Sequence, residues 1–211
     1  MSADDLRLEW LALWRRLEAK GDPWPTYENL LERYAGPGRA YHTIVHVEHC
    51  LRELADVGEP TANLDALQFA LWFHDAVYDT RAKDNEERSA ALAREVARSA
   101  SLSDGFGDRV TALILATKHT DPPITADEQL LVDVDLTILG QQAAKFDEYE
   151  SQIRTEYSWV PAGAYVEARC RILSSFLARP RIYSTEFFGR KYEGIARENL
   201  SRSMRTLAAM S

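Results

Sequence analysis

Helical periodicity constrains this chain more than any other feature. Leu6, Trp10, Leu13, Trp14 and Leu17 recur at spacings of three and four, the stripe of an amphipathic helix. Ser2 and Asp5 precede that stripe with the spacing of a capping box. The same period continues to the end, predicting further helices over about residues 26–34, 41–57, 63–78, 84–99, 107–118, 125–139, 141–157, 165–177 and 185–209. Asn63 and Ser184 are the predicted caps of two of these, and Thr125 with Glu128 forms a second capping box. Gly21, Pro23 and the run Gly36-Pro37-Gly38 punctuate the early helices. Sustained period-two alternation between hairpin turns is nearly absent, which argues against a substantial sheet. Connections are short and no internal repeat is present. The expectation is all-α: a single compact multi-helix bundle spanning residues 1–211.

Composition narrows the functional classes. A chain of 211 residues buries a large core without covalent staples. Twenty-five basic against 33 acidic residues leave a net charge of −8, which argues against a nucleic acid polymer or an anionic membrane as partner, although a local basic pocket is still allowed. Cys50 and Cys170 are too few for a disulfide framework and fit a reducing compartment. The start lacks the cationic segment of a signal peptide, and no apolar run reaches about 18 residues. A soluble, cytoplasmic protein is expected.

Three segments carry the chemistry. In Tyr41–His49, histidines at 42, 46 and 49 fall along one face if the segment is helical. A row of imidazoles contributes little to an apolar core, since each buried ring has two nitrogens to satisfy; the alternative is a wet surface stripe. In Phe69–Asp79, His74 and Asp75 interrupt a strongly apolar helix. A buried carboxylate there needs a cation, a metal or several donors, unless the pair simply sits solvated at a helix end. In Leu130–Gly140, Asp133 and Asp135 lie two apart inside another apolar run. On a helix they point about 200° from each other, so at most one faces a shared site and the other caps or meets an arginine. Together His46, His74, Asp75 and Asp135 offer two imidazoles and two carboxylates and no thiolate. Such a set suits one borderline or hard divalent ion (Mn²⁺, Fe²⁺, Co²⁺, Ni²⁺, Zn²⁺ or Mg²⁺) with positions left for water.

The order of a helical histidine, a His-Asp doublet and a distant aspartate resembles the HD-domain superfamily of metal-dependent phosphohydrolases. Within it, the chain is most similar to the predicted metal-dependent HD phosphohydrolase branch that carries Tyr-His-x-x-x-His before the doublet. The matching stretches are Tyr41–His46, Trp72–Asp79, Asp84–Ala90, Asp133–Gly140 and Phe176–Tyr183, so the likeness covers roughly residues 5–200. The resemblance implies an HD-type helical domain with core motifs in 41–140 and C-terminal helices 141–211 packing on them. It implies His46, His74, Asp75 and Asp135 as metal ligands, with Asp133 as runner-up for the last place. Extra histidines hold a second metal in some superfamily members, but no additional carboxylate bridge is evident here, so a single ion is expected.

The implied activity is hydrolysis of a small phosphorylated molecule, nucleotides included, by metal-activated water. Asp79 and His119 are the expected catalytic residues. His42, Arg39 and Lys118 are the expected substrate-binding residues. Three of them have a plainer alternative: helix termination for Asp79, a helix C-cap for His119 and a surface position for Arg39. Glu86 and Glu87 are candidate partners for an imidazole. Tyr41 and Tyr78 either stack a base or belong to the core. Arg179, Arg197 and Asn199 are expected to brace the last helix. A non-catalytic metal- or nucleotide-binding helical module is the alternative function, and the C-terminal helices permit a homodimer.

Overall fold

The structure, a computed structural model, describes residues 3–58 and 63–209. Those residues form ten α-helices and one 3₁₀ turn, with no strand among them. No helix among them is long and apolar enough to cross a membrane. Ser2, half of the expected N-terminal capping box, lies outside the described residues. The chain divides into two compact units, residues 1–132 and 133–211.

The first unit contains α1 (Ala3–Arg16), α2 (Trp24–Tyr34), α3 (Ile44–Asp56), α4 (Leu64–Phe73), α5 (Asn85–Ser99), α6 (Asp104–Ala116) and most of α7 (Ala126–Asp135). Helix α4 is its centre, packing against α1, α3, α5 and α6. Its sequence explains this: Ala66, Leu67 and every residue from Phe69 to Phe73 are buried, so it has almost no polar face to give to water. The Trp10 ring meets that of Trp72 edge-on at 5.4 Å, and Tyr27 reaches the same ring at 6.0 Å. Burial of each such side chain stabilises by about 1.5–3 kcal/mol. Trp10 Nε1 donates to the Pro23 carbonyl at 3.0 Å, and the neighbouring Tyr34 Oη donates to that of Trp72 at 3.1 Å.

Several helix ends depart from the periodic reading, each for a local reason. Helix α3 begins at Ile44 and not at Tyr41, because Thr43 is extended (ψ 178°); His42 therefore lies off the helix, and only His46 and His49 share it. Helix α4 stops at Phe73 and not at Tyr78. Ala76 N turns back to the Phe73 carbonyl at 2.9 Å, and Ser89 Oγ takes both the N–H and the carbonyl of Val77, at 3.0 and 3.3 Å. Side-chain bonds there replace the helical ladder. Helix α6 starts early, capped by Ser103, which accepts from Phe106 N at 3.2 Å. The Thr125–Glu128 capping box forms as expected, with Glu128 N donating to Thr125 Oγ1 at 3.2 Å and Thr125 N to Glu128 Oε2 at 3.0 Å.

The second unit contains the 3₁₀ turn Leu136–Gly140, α8 (Ala143–Glu156), α9 (Ala162–Leu177) and α10 (Glu186–Ala208). Helix α10 packs on the 3₁₀ turn and on α9. Asn199 fastens it by donating to the carbonyls of Leu139 and Gln141, at 2.9 and 2.8 Å. Arg197 donates to those of Leu177, Arg179 and Pro180, so both residues brace the last helix. Buried Arg169 is neutralised by Glu150 and donates to Tyr149 Oη at 3.0 Å. The cap of α10 is Thr185, not Ser184: its hydroxyl accepts from Phe188 N at 3.4 Å.

Candidate metal centre

Helix α3 carries His46 on its buried side, and the end of α4 carries His74 as C-cap with Asp75 in the turn beyond. Their three donor atoms converge. His46 Nε2 and His74 Nε2 are 3.1 Å apart, His74 Nε2 and Asp75 Oδ2 are 3.1 Å apart, and His46 Nε2 and Asp75 Oδ2 are 3.7 Å apart. Ligands about 2.1 Å from one ion stand roughly 3.0 Å apart in adjacent octahedral positions and roughly 3.4 Å apart in a tetrahedron. The two 3.1 Å separations fall between these values, and the 3.7 Å separation exceeds the larger by only about 0.3 Å. This buried group can therefore hold a metal ion.

Local contacts prepare the donors. His74 Nδ1 lies 2.9 Å from the Leu71 carbonyl. A carbonyl only accepts, so Nδ1 carries the hydrogen and Nε2 presents its lone pair to the centre. Both imidazoles are about 1% exposed, against 16% for the Asp75 side chain, so the opening towards solvent is on the carboxylate side. With the imidazoles protonated and no ion between them, burial pushes the Asp75 carboxyl up, but the positive charge of His74, His42 and His46 and a hydrogen bond from His74 Nε2 reverse this. The group is held well below the usual carboxylate range.

Cys50, which is outside the expected donor set, is a further neighbour of the centre. It lies one turn after His46 on α3, and its Sγ is 3.7 Å from His46 Nε2 and 3.8 Å from Nδ1. The i, i+4 spacing from a candidate ligand was the available signal. A thiolate and an imidazole on one tetrahedral ion stand roughly 3.6 Å apart, so Cys50 too is among the residues that can hold a metal.

The other expected residues sit as follows. His42 stacks on Tyr78, with ring centroids 4.2 Å apart, and its ring is 6.0 Å from that of His46. Tyr41 lies against His46 at 4.8 Å. Asp79 is exposed, and its Oδ1 accepts from Arg81 N at 2.9 Å in a turn that Asn85 closes. Lys118 pairs with Glu87. That hydrogen bond holds the Lys118 ammonium above and the Glu87 carboxyl below their usual ranges. His119 has a left-handed φ of 57°, and its N–H meets the Ala116 carbonyl at 3.3 Å, so its backbone closes α6. In the second unit, Asp133 is fully buried, and both of its oxygens accept hydrogen bonds from Ser184 and Thr185. Asp135 is two residues on, at the last position of α7.

Compared with protein-family models, curated proteins and solved structures, the chain matches none.

Proposed function

We propose that this chain is a metal-dependent phosphohydrolase of the HD-domain type that acts on a small phosphorylated molecule. The supporting observation is the convergence of His46 Nε2, His74 Nε2 and Asp75 Oδ2 within 3.7 Å of one another. Two buried imidazoles against a carboxylate are unfavourable as packing, and they suit one divalent ion. Asp135 enters the proposal as a further donor on the sequence resemblance alone. Asp133 leaves it, since both of its oxygens are engaged at the start of α10.

A bound divalent ion supplies Lewis acidity, acidifying water and offsetting charge on a phosphoryl group. The protein's own groups do the rest. Leu71 fixes the tautomer of His74, and Asp75 contributes negative charge to balance the ion. Hydrolysis takes one proton from the attacking water and returns one to the leaving oxygen. Asp79 and His119 are assigned those transfers, and His42 and Lys118 the substrate's phosphate. Lys118 must leave Glu87 to take part.

A second reading, a metal- or nucleotide-binding module without turnover, is favoured by one observation: the Asp79 carboxylate is already used to cap Arg81 N. One series of measurements separates the two. Purified protein should carry about one equivalent of metal, and His74→Ala and Asp75→Ala should each lose it. Release of phosphate from mono-, di- or triphosphates with Mn²⁺, Co²⁺ or Mg²⁺ then marks an enzyme, whereas binding without release marks the module. Unchanged metal content in the two variants would sink both readings.

A further inference from the structure

We propose that Arg39 is a positioning residue whose guanidinium brackets the two segments bearing the metal donors and sets the gap between them. The inference rests on the metal centre proposed above, but it assigns Arg39 a role other than meeting substrate charge. Arg39 Nη1 donates to the His42 carbonyl at 2.7 Å, and Nη2 donates to the Ala76 carbonyl at 3.2 Å. His42 leads into the helix that carries His46, and Ala76 directly follows Asp75. A single side chain therefore ties the approach to one donor to the exit from the other two.

The surroundings hold this bracket in place. The guanidinium lies over the rings of Tyr34 and Tyr78, 5.1 and 5.3 Å from their centroids. Tyr34 is itself anchored through its hydroxyl to the Trp72 carbonyl at 3.1 Å. Tyr78 stacks on His42, closing a loop of contacts back to the first segment. From the other side, Ser89 holds the peptide of Val77. The Ala76 carbonyl needs a donor because the chain has left α4 there, outside the helical ladder. Arginine meets this need with a rigid planar fork. Lysine keeps the charge on one compact ammonium and cannot reproduce two divergent bonds.

That difference supplies the test. Co²⁺ and Zn²⁺ affinities of the full chain would be measured by calorimetry against a competing chelator, with the Co²⁺ absorption spectrum as a report on donor geometry. Wild type, Arg39→Lys, Arg39→Gln and His74→Ala would be compared, with folding checked by melting temperature. Arg39→Lys and Arg39→Gln should both bind metal about 10–100-fold more weakly, the range for loss of an outer support, with an altered Co²⁺ spectrum. Wild-type affinity and spectrum in Arg39→Lys would overturn the bracket, because charge alone would then suffice. Should Arg39→Gln fail to fold, Arg39→Lys alone decides. If wild type itself binds no ion, the metal reading falls. The bracket is then judged by amide exchange over residues 74–78, which Arg39→Lys should accelerate; unchanged exchange there would overturn it.

Discussion

Asp133 and Thr185 are joined by two hydrogen bonds to a single oxygen: Asp133 Oδ2 accepts from Thr185 N at 2.7 Å and from Thr185 Oγ1 at 2.6 Å. The other oxygen, Oδ1, accepts from Ser184 N at 2.8 Å. An acid that looks like a ligand in an apolar run is instead the anchor for the start of α10.

Removing that anchor should be felt as stability and not as metal. Asp133→Ala leaves two backbone N–H groups and a hydroxyl without their acceptor, and it should lower unfolding free energy by about 2–4 kcal/mol. Denaturant titration checks this. Asp135→Asn, by contrast, should leave the unfolding midpoint nearly unchanged and lower metal content. Exchange of those two outcomes would mean that the acids have been assigned in the wrong order.

The same carboxyl predicts a pH dependence. Burial raises Asp133 more than the donors from Thr185 and Ser184 lower it, so its folded value lies above the ordinary carboxylate range. The native state then holds the proton more tightly than the unfolded chain. This contribution is fully present below the unfolded value of about 3.9, and it is lost as pH rises through the folded value. Measured upward from about pH 4, the stability of wild type relative to Asp133→Asn should decline. A rising difference would contradict the shift.

Cys50 should prove to be packing and not a ligand. Its sulfur is fully buried, and His46, His74 and Asp75 form a donor group without it. Cys50→Ala is expected to keep the metal stoichiometry while costing about 1 kcal/mol from the small cavity it leaves. A thiolate charge-transfer band in the Co²⁺ form, absent from the variant, would show the opposite.

Gly140 is required by close approach. A Cβ added there would stand 2.4 Å from Tyr192 Cβ, where the 3₁₀ turn meets α10. Gly140→Ala should therefore lower stability by about 1–3 kcal/mol through overpacking. A thermal melt equal to that of wild type would show that α10 can shift without cost.

Much of the fold was legible in the chain. The stripe from Leu6 to Leu17 and the Thr125–Glu128 box are local patterns, and local patterns report helices directly. The donor types at His46, His74 and Asp75 were legible too, because polar groups in apolar runs need partners wherever the chain goes. Helix ends were less so. The stop at Phe73 and the late start at Ile44 go with the bonds of Ser89 and the extended Thr43, where periodicity alone would continue the helix.

By itself, then, the sequence determined that the chain is helical and which of its residues are unsuited to a plain core. Tertiary structure alone decided how those residues are used. His46 and His74 are 28 positions apart and meet at 3.1 Å, and Asp133 is spent on a helix start 52 positions away. Hydrogen bonds between such distant residues depend on how helices pack, and that packing is set by the summed burial of many side chains, not by any one spacing.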